Sequence, residues 1–264
     1  MGPWSPSASD MEDVPLAAAK GPAKLALVVP TLHEAANIER ILERIRSSLD
    51  PLDIPYEIII VDDDSRDGTA ELVRKISGAD PRVRLLVRTD ARGLGGAVVH
   101  GWEHSSAGVV GVIDADFQHP PELLPQLWKA IDAGADLALA SRYAEPGSLR
   151  HWNPLRYALS RLAIWLTWPI QKPAIHVQDP MSGFFLVRRD CIRDVHIETQ
   201  GFKILLEILV RGNIQSVTEV PFSFGLRQAG RSKAGIREGL DYLWLLGRLY
   251  RAAGLRRLFP YSRT

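Results

Sequence analysis

The chain has 264 residues, 46% of them hydrophobic, and a formal net charge of +1 at pH 7. It is long enough for one sizeable α/β domain, and its near-neutral charge argues against nucleic acid as the main partner, because duplex binders normally carry a large basic excess. The single cysteine, Cys191, excludes an internal disulfide and a cysteine-based metal site, which favours a reducing, cytosolic setting.

Residues 1–23 are expected to form a disordered tail, because they contain Pro, Ser, Ala and acidic residues without an apolar periodicity. They also lack the basic start and apolar stretch of a signal peptide. No later stretch reaches the length of a membrane span, since the apolar run around Ile164 is interrupted at Arg161 and closed by Pro169.

Short apolar strands alternate with amphipathic helices along residues 24–140. The predicted strands are 24–30, 56–61, 83–87, 109–113 and 136–140, and the predicted helices are 34–47, 70–76, 95–104 and 121–131. This alternation predicts a mainly parallel, doubly wound sheet. Such sheets bind ligands at the carboxyl ends of their strands. Polar clusters follow three of the strands, at residues 31–34, 62–67 and 114–118.

The fourth predicted strand leads into Asp114 and Asp116, with Gln118 two residues later. Side chains at i and i+2 of an extended chain face the same side, and two like charges held together are costly unless a cation lies between them. Mg²⁺ and Mn²⁺ accept such oxygen ligands and keep positions open for substrate phosphates. The pattern therefore favours a metal site. The alternative is a solvated loop with a helix-capping acid.

The motif VDDDSRDGT at residues 61–69 allows two interpretations. Asp63 could accept hydrogen bonds from a base or ribose. Alternatively, the segment could be a turn in which Asp67 or Thr69 caps the next helix.

The motif RGLGGAVVHG at residues 92–101 is similar to the dinucleotide-binding glycine pattern and supplies a rival hypothesis, a nicotinamide-dependent oxidoreductase. Gly93 and Gly95 fit that pattern, but Val98 stands where the third glycine belongs. The first strand–helix turn, PTLHEAAN, contains no glycine. Tight packing between helix and sheet is therefore the favoured role of these glycines.

Eight motifs together resemble the polyprenol (dolichol) phosphate mannosyltransferases, inverting family 2 glycosyltransferases of the GT-A fold, in the branch that has a catalytic domain only. They are, in chain order, VPTLHEAANI, VDDDSRDGT, RGLGGA, DADFQHPPE, SRY, DPMSGFF, GFKILLEIL and VPFSFGLRQAGRSK. The resemblance implies one GT-A (Rossmann-like) domain over residues 24–235, followed by a C-terminal amphipathic basic helix and tail over 236–264. It also implies metal-dependent transfer of mannose from GDP-mannose to a membrane polyprenyl (dolichyl) phosphate, giving a β-linked product.

The resemblance assigns site residues position by position. Those implied to bind the nucleotide sugar are Pro30, Leu32, Glu34, Val61, Asp63, Asp114, Ala115, Asp116, Arg142, Arg227 and Lys233. Those implied to bind Mg²⁺ or Mn²⁺ are Asp114, Asp116 and Gln118. Asp116, Arg142 and Arg227 are the implied catalytic residues, which stabilise the departing diphosphate.

The acceptor phosphate is implied to contact Arg142, Arg156 and Ser160. The last two lie four residues apart and therefore share a face of a helix. Without the resemblance, this pair would be interpreted as an ordinary surface arginine above a helical serine.

The sequence departs from the family pattern at three positions. Leu32, His33 and Arg66 stand where the family usually has Tyr, Asn and Pro. The first change is expected to alter one contact with the nucleotide base or ribose. None of the three removes a charge that the chemistry needs.

Two segments are expected to lie at the membrane interface, residues 153–171 and 239–259. The first is rich in Trp and Leu, and Trp152, Trp165 and Trp168 suit the water–lipid boundary. These features predict a peripheral membrane protein at the cytoplasmic face. The C-terminal helix could instead pack on the core or contact a small integral-membrane partner subunit.

Two alternatives to mannose transfer remain. A glucose or N-acetylglucosamine donor is the nearest one, although DPMSGFF and GFKILLEIL resemble the mannose-type motifs. A nucleotide-binding, non-catalytic scaffold subunit belongs to a different class, and the complete set of charged site residues argues against it.

Overall fold

The computed structural model describes residues 23–89, 92–144, 154–172, 175–193, 195, 197, 203–222 and 236–258. Within its helices, only the backbone is described at residues 155–156, 236–238 and 255–258.

Seven strands form one mixed sheet. They are β1 Leu25–Thr31, β2 Tyr56–Asp62, β3 Val83–Val87, β4 Val109–Val112, β5 Leu137–Ser141, β6 Phe185–Arg188 and β7 Val217–Pro221. Their order in space is β3-β2-β1-β4-β6-β5-β7. Neighbouring strands are parallel except where β6 pairs antiparallel with β4 and β5.

Within the described residues, seven α-helices connect or follow the strands. They are α1 Ile38–Leu49, α2 Thr69–Ala79, α3 Leu94–Glu103, α4 Leu124–Asp132, α5 Pro154–Trp165, α6 Ile204–Arg211 and α7 Ile236–Leu258. Among the helices of the described ranges, none combines the length and the apolar character needed to cross a bilayer.

Both faces of the sheet are covered by helices. Along β1, Leu25, Leu27 and Val29 pack in one layer with α1 and α4, whereas Ala26 and Val28 pack in the other layer with α3 and α6. A smaller third cluster joins α6 to α7. Strands buried on both faces are typical of doubly wound α/β folds, because the crossover helices cover both sides of the sheet. The predicted fold class is confirmed.

The predicted strands differ from the observed ones by at most one residue at each end, whereas the first helix differs more. The sequence predicts that it starts at residue 34, but α1 begins at Ile38. His33 has a positive φ of 62°, and residues 35–37 form turns. The backbone N–H groups of Glu34 and Ala35 donate to the side chains of Thr69 and Asp67 near the start of α2, which holds this segment in a turn, so the helix starts only at Ile38.

The antiparallel direction of β6 brings residues from distant parts of the sequence to one edge of the sheet. Val112 of β4 and Leu139 of β5 both pair with Phe185 at the start of β6. Because β6 runs opposite to its neighbours, its amino end lies at the edge where β4 and β5 have their carboxyl ends. The DPMSGFF motif at residues 179–185 therefore lies beside the DADFQ and SRY motifs.

Candidate functional site

The candidate site lies at the sheet edge where β1, β2, β4 and β5 end and β6 begins. Three non-glycine residues near these strand ends have positive φ angles: His33 at 62°, Asp64 at 56° and Phe117 at 61°. Each such conformation costs on the order of 1 kcal/mol or more, and strained residues of this kind cluster at functional sites.

Hydrogen bonds join the loops that follow β1 and β2. The backbone N–H of His33 donates to Ser65 Oγ at 2.8 Å, and that of Ala35 donates to Asp67 Oδ2 at 3.1 Å. Asp67 Oδ1 also accepts from the backbone N–H of Thr69 at 3.1 Å, at the first residue of α2. Asp67 thus has the structural role that the capping interpretation assigned to it.

Asp63 is buried and connects β2 to the start of α3. Its Oδ2 accepts a hydrogen bond from the backbone N–H of Gly93 at 2.7 Å, and its Oδ1 lies 3.5 Å from Arg88 Nη1. Burial raises the pKa of Asp63, while the Gly93 hydrogen bond and the charge of Arg88 oppose that shift. Its assignment to the nucleotide remains a prediction.

The other residues expected around the nucleotide surround the same two loops. Pro30 pairs in register with Val61, whose side chain is fully buried on the α3 side of the sheet. Only the backbone of Val61 can therefore face a nucleotide. Leu32 is partly buried, and Glu34 Oε2 accepts a hydrogen bond from Asn37 Nδ2 at 2.7 Å.

Close packing involves other glycines of RGLGGAVVHG than the prediction named, because an added Cβ at Gly93 would have no atom within 4 Å, and Gly93 instead has a positive φ of 137°. A Cβ added to Gly101 would lie 2.6 Å from Val28 Cγ2, and one added to Gly96 would lie 2.8 Å from Arg88 Nη2. Real Cβ atoms essentially never approach other atoms so closely, so a larger residue at Gly101 would push α3 away from the sheet, whereas one at Gly96 would displace only the Arg88 side chain.

The DADFQ loop is not extended, contrary to the prediction from its sequence. Strand β4 ends at Val112, and Ala115 and Asp116 lie in a turn. Alternation along a strand therefore does not place Asp114 and Asp116 on one side, and that expectation was wrong. The turn is fixed locally, because Asp116 Oδ1 accepts from the backbone N–H of Gln118 at 3.0 Å. Phe117 packs its ring into the core.

Asp114 lies against Gly183, two residues before β6, and beside His119. A Cβ at Gly183 would lie 2.8 Å from Asp114 Oδ2, and His119 Nδ1 lies 3.7 Å from the same oxygen. Burial, together with the charge of Arg142, lowers the pKa of His119 to about 3. His119 is therefore neutral at pH 7 and does not offset the charge of Asp114.

The donor set in the DADFQ loop fits a hard divalent cation. Asp114 is partly exposed and Asp116 is buried, and Gln118 adds an amide oxygen. Across the described part of the chain, no group of three or more His, Cys, Asp or Glu side chains is arranged to hold a metal ion. Two carboxylates with open positions suit Mg²⁺ or Mn²⁺, which complete their coordination with water and substrate phosphates. The assignment of Asp114, Asp116 and Gln118 to such an ion remains a prediction.

Arg142 follows β5 and forms a bidentate ion pair with Asp179. Arg142 Nε donates to Oδ2 and Nη2 donates to Oδ1, both at 2.7 Å, and the backbone N–H of Arg142 donates to Oδ2 at 3.1 Å. Asp179 is fully buried. Burial opposes the positive charge, but the hydrogen bonds and charge of Asp179 outweigh it and raise the pKa of Arg142.

Lys203 brings a second cation to the same place. Burial, and then the charge of Arg142, lower the pKa of Lys203, against the opposing charges of Asp179 and Asp114. Sequence reasoning assigned no role to Asp179 or Lys203, although both lie in motifs that it quoted, DPMSGFF and GFKILLEIL. The sequence signal that could have identified them is an ionisable residue placed among mostly apolar residues of the motif.

Helix α5 reaches the site through Ser160. Ser160 Oγ lies 2.6 Å from the hydroxyl oxygen of Tyr143, the residue after Arg142. The side chain of Arg156 lies outside the described part of the chain, and so do Arg227, Lys233 and Trp152.

Helices α5 and α7 are joined by two tyrosines. The Tyr242 hydroxyl donates to the Ala163 carbonyl at 2.5 Å, and the Tyr250 hydroxyl donates to the Leu166 carbonyl at 2.8 Å. Helix α7 also buries leucines against α6 and the 3₁₀ turn Trp168–Ile170. The C-terminal helix therefore does pack on the core.

The same helices and the 3₁₀ turn leave large apolar side chains exposed, which we term the α5–α7 surface. Its members are Tyr157, Leu159, Leu162, Trp165, Trp168, Leu240, Leu243, Trp244 and Tyr250. Arg248 lies over the ring of Trp244, with Cζ 4.3 Å from the ring centroid. Apolar groups gathered in this way indicate an interaction surface.

Comparison with solved structures agrees with the observed fold. The chain is similar to glucosyl-3-phosphoglycerate synthase from Mycobacterium tuberculosis in complex with Mn²⁺, UDP-glucose and phosphoglyceric acid, with 20% sequence identity and a TM-score of 0.60. That similarity covers 88% of this chain and 80% of the other. At this level of identity, the similarity concerns the fold alone.

Comparison of sequences is more specific. Residues 26–195 match the model of Glycosyl transferase family 2. The chain is 40% identical over 241 residues to the dolichol-phosphate mannosyltransferase of Pyrococcus furiosus, covering 90% of this chain and 67% of that protein. It is 38% identical over 234 residues to the protein of the same name from Mycosarcoma maydis, covering 85% of this chain and 78% of that protein.

Proposed function

The chain belongs to glycosyl transferase family 2 and, within it, to the dolichol-phosphate mannosyltransferases, and we propose that it transfers mannose from GDP-mannose to a polyprenyl (dolichyl) phosphate with inversion. The products are polyprenyl phosphate β-mannose and GDP. The observation that carries this proposal is the convergence of the Asp114–Gln118 loop and the buried Arg142–Asp179 pair at one edge of the sheet.

The carboxylates and cations of this edge suit a diphosphate leaving group. Asp114, Asp116 and Gln118 would hold Mg²⁺ or Mn²⁺, and a bound ion of this kind would neutralise negative charge that grows on the diphosphate. Arg142 would donate to the same anion from a position that Asp179 fixes in advance, so no reorganisation is needed during the reaction. Arg227 and Lys233, which follow β7 in the sequence, are proposed to contact the diphosphate.

The acceptor is already a nucleophile, because a phosphate monoester is anionic at neutral pH. No general base is therefore required. A phosphate oxygen attacks the anomeric carbon on the side opposite the diphosphate. The new C–O bond forms while the bond to GDP breaks, and the bonding electrons leave with GDP. One such displacement converts an α-linked donor into a β-linked product.

The two substrates are proposed to bind on different sides of this centre. The nucleotide would lie near Pro30, Leu32, Glu34, Val61, Asp63 and Ala115, at the loops after β1, β2 and β4. The acceptor phosphate would contact Arg142, Arg156 and Ser160. An arginine and a hydroxyl group both donate charge-assisted hydrogen bonds to phosphate oxygens.

The α5–α7 surface is proposed to attach the protein to the cytoplasmic face of the membrane that holds the acceptor. Tryptophan and leucine side chains suit the water–lipid boundary, and Ser160 lies on α5, one of the two helices that form this surface. Part of the same surface is available for a small integral-membrane partner subunit.

The proposal is tested with radiolabelled GDP-mannose, GDP-glucose and UDP-sugars, each incubated with the purified chain and a short polyprenyl phosphate, with and without Mg²⁺ or Mn²⁺. We expect label in the organic phase from GDP-mannose only, and only with metal present. Label from GDP-glucose or UDP-N-acetylglucosamine would favour the alternative donors. Absence of label from every donor, with the fold intact, would favour a non-catalytic nucleotide-binding subunit.

A further inference from the structure

Tyr143 contacts both sides of the proposed acceptor site. It follows Arg142 at the end of β5, and its hydroxyl oxygen lies 2.6 Å from Ser160 Oγ on α5. Its ring lies near two guanidinium groups, with Arg142 Cζ at 5.7 Å and Arg161 Cζ at 5.4 Å from the ring centroid. Neither the family resemblance nor the sequence pattern assigns a role to Tyr143.

The hydrogen bond between Tyr143 and Ser160 can run in either direction, because each hydroxyl group can donate and accept. An anion bound at Ser160 would remove this ambiguity. A phosphate accepts hydrogen bonds, so the serine would have to direct its one proton at the phosphate. Ser160 Oγ would then accept from Tyr143, whose phenol is protonated at neutral pH and whose pKa burial raises further.

We propose that Tyr143 is a positioning residue of the acceptor site, which donates to Ser160 Oγ and thereby directs the serine proton at the acceptor phosphate. This inference rests on the proposed function and adds a residue to its acceptor site. The chain of donors runs from Tyr143 to Ser160 to the phosphate. A hydroxyl that accepts one hydrogen bond donates a stronger one, since the two bonds polarise each other. The ring would keep its contacts with both arginines.

The proposal predicts a specific pattern in the kinetics of Tyr143→Phe, Ser160→Ala and the double variant. Tyr143→Phe removes only the hydroxyl, so the KM for a short polyprenyl phosphate should rise about fivefold, as expected for one lost hydrogen bond. The kcat at saturating acceptor and the Kd of GDP-mannose by calorimetry should stay within about twofold, because neither depends on the serine proton. The double variant should have the acceptor KM of Ser160→Ala alone, because the tyrosine acts through the serine.

Tyr56→Phe is the matched control. Tyr56 also donates its hydroxyl to a side chain, Asp50 Oδ1 at 2.5 Å, and also has an arginine over its ring, with Arg82 Cζ at 5.0 Å from the centroid. It begins β2, at the amino end of that strand and away from the site. The acceptor KM of the Tyr56→Phe variant should equal that of the unmodified chain. All chains are compared at a temperature where circular dichroism shows them folded.

Two results would overturn the proposal while leaving the proposed function intact. One is an acceptor KM for Tyr143→Phe equal to that of Tyr56→Phe. The other is a double variant in which the two single effects multiply, which would mean that tyrosine and serine act independently. An unmodified chain that transfers no mannose to the lipid would overturn the proposed function and the inference together.

Discussion

Arg142 and Asp179 are joined by three hydrogen bonds, although they lie 37 positions apart in the sequence. The carboxylate is fully buried, and the arginine side chain is 15% exposed. Breaking a buried pair leaves an uncompensated charge, whereas an exposed pair contributes little. The pair therefore fixes the position of a cation at the site and also contributes to the stability of the fold.

Asp179→Asn should lower the free energy of unfolding by about 3 kcal/mol and reduce mannose transfer, because it removes the charge that holds Arg142. Asp190→Asn is the control, since it breaks the exposed Arg193–Asp190 pair and should change stability by less than about 1 kcal/mol. Chemical denaturation measures the free energy of unfolding of both variants, and the transfer assay measures their activity. Equal, small changes in the two variants would show that the buried pair does not hold the site together.

Asp116→Ala should abolish metal-dependent transfer while the chain stays folded, because it deletes a carboxylate proposed to bind the metal ion. A loss of at least about a hundredfold is expected, corresponding to several kcal/mol of charge stabilisation. Chelation with EDTA should have the same effect on the unmodified chain. Asp132→Asn, at the exposed end of α4, is the control. Near-normal activity of Asp116→Ala with metal present would contradict the assignment of the metal ligands.

Gly183→Ala should weaken metal binding without any change in the ligands themselves. Its Cβ would lie 2.8 Å from Asp114 Oδ2, so the carboxylate would have to move. Gly108→Ala has no atom within 4 Å of the added Cβ and serves as the control. The measurement is the Mn²⁺ concentration that gives half-maximal transfer, which should rise for Gly183→Ala only. Identical values would indicate that Asp114 is not a metal ligand.

The α5–α7 surface should bind vesicles that contain anionic lipids, and salt should weaken the binding, because an acid-free run of arginines from Arg248 to Arg263 belongs to this end of the chain. Replacing Leu243 and Trp244 with Gln should reduce the bound fraction at least about tenfold, since each exposed apolar side chain contributes on the order of 1.5 kcal/mol when buried. Val87→Gln, an exposed apolar residue on β3, is the control. Cosedimentation that is insensitive to the double change would place the attachment elsewhere.

The sequence predicts the first five strands because they alternate with amphipathic helices whose periodicity marks their ends. It does not predict β6 and β7, although β6 is as long as β4 and β7 is as long as β3 and β5. β7 contains a single buried residue, Val220, so it shows no apolar run. Nor does the sequence predict the late start of α1, because the backbone N–H groups of Glu34 and Ala35 donate to side chains of another segment. Periodicity describes neighbours along the chain and contains no information about such pairings.

The candidate site, too, depends on contacts between distant segments that sequence patterns do not reveal. The resemblance finds the motifs, and Asp114, Asp116, Arg142 and Ser160 come from them. The partners that orient these residues, Asp179 and Tyr143, become visible only in the folded chain, because β6 runs antiparallel and α5 packs beside the end of β5. Contacts across 37 and 17 positions of sequence cannot be deduced from spacing.

The anomeric configuration of the lipid product made from GDP-mannose tests the central claim most directly. The unmodified chain is incubated with GDP-mannose labelled with ¹³C at the anomeric carbon, a short polyprenyl phosphate and Mg²⁺, and the extracted lipid is analysed by NMR from its one-bond carbon–proton coupling. A single displacement at the proposed site predicts a β-linked mannosyl phosphate, formed in equal amount to GDP. An α-linked product, or GDP release without labelled lipid, would contradict it.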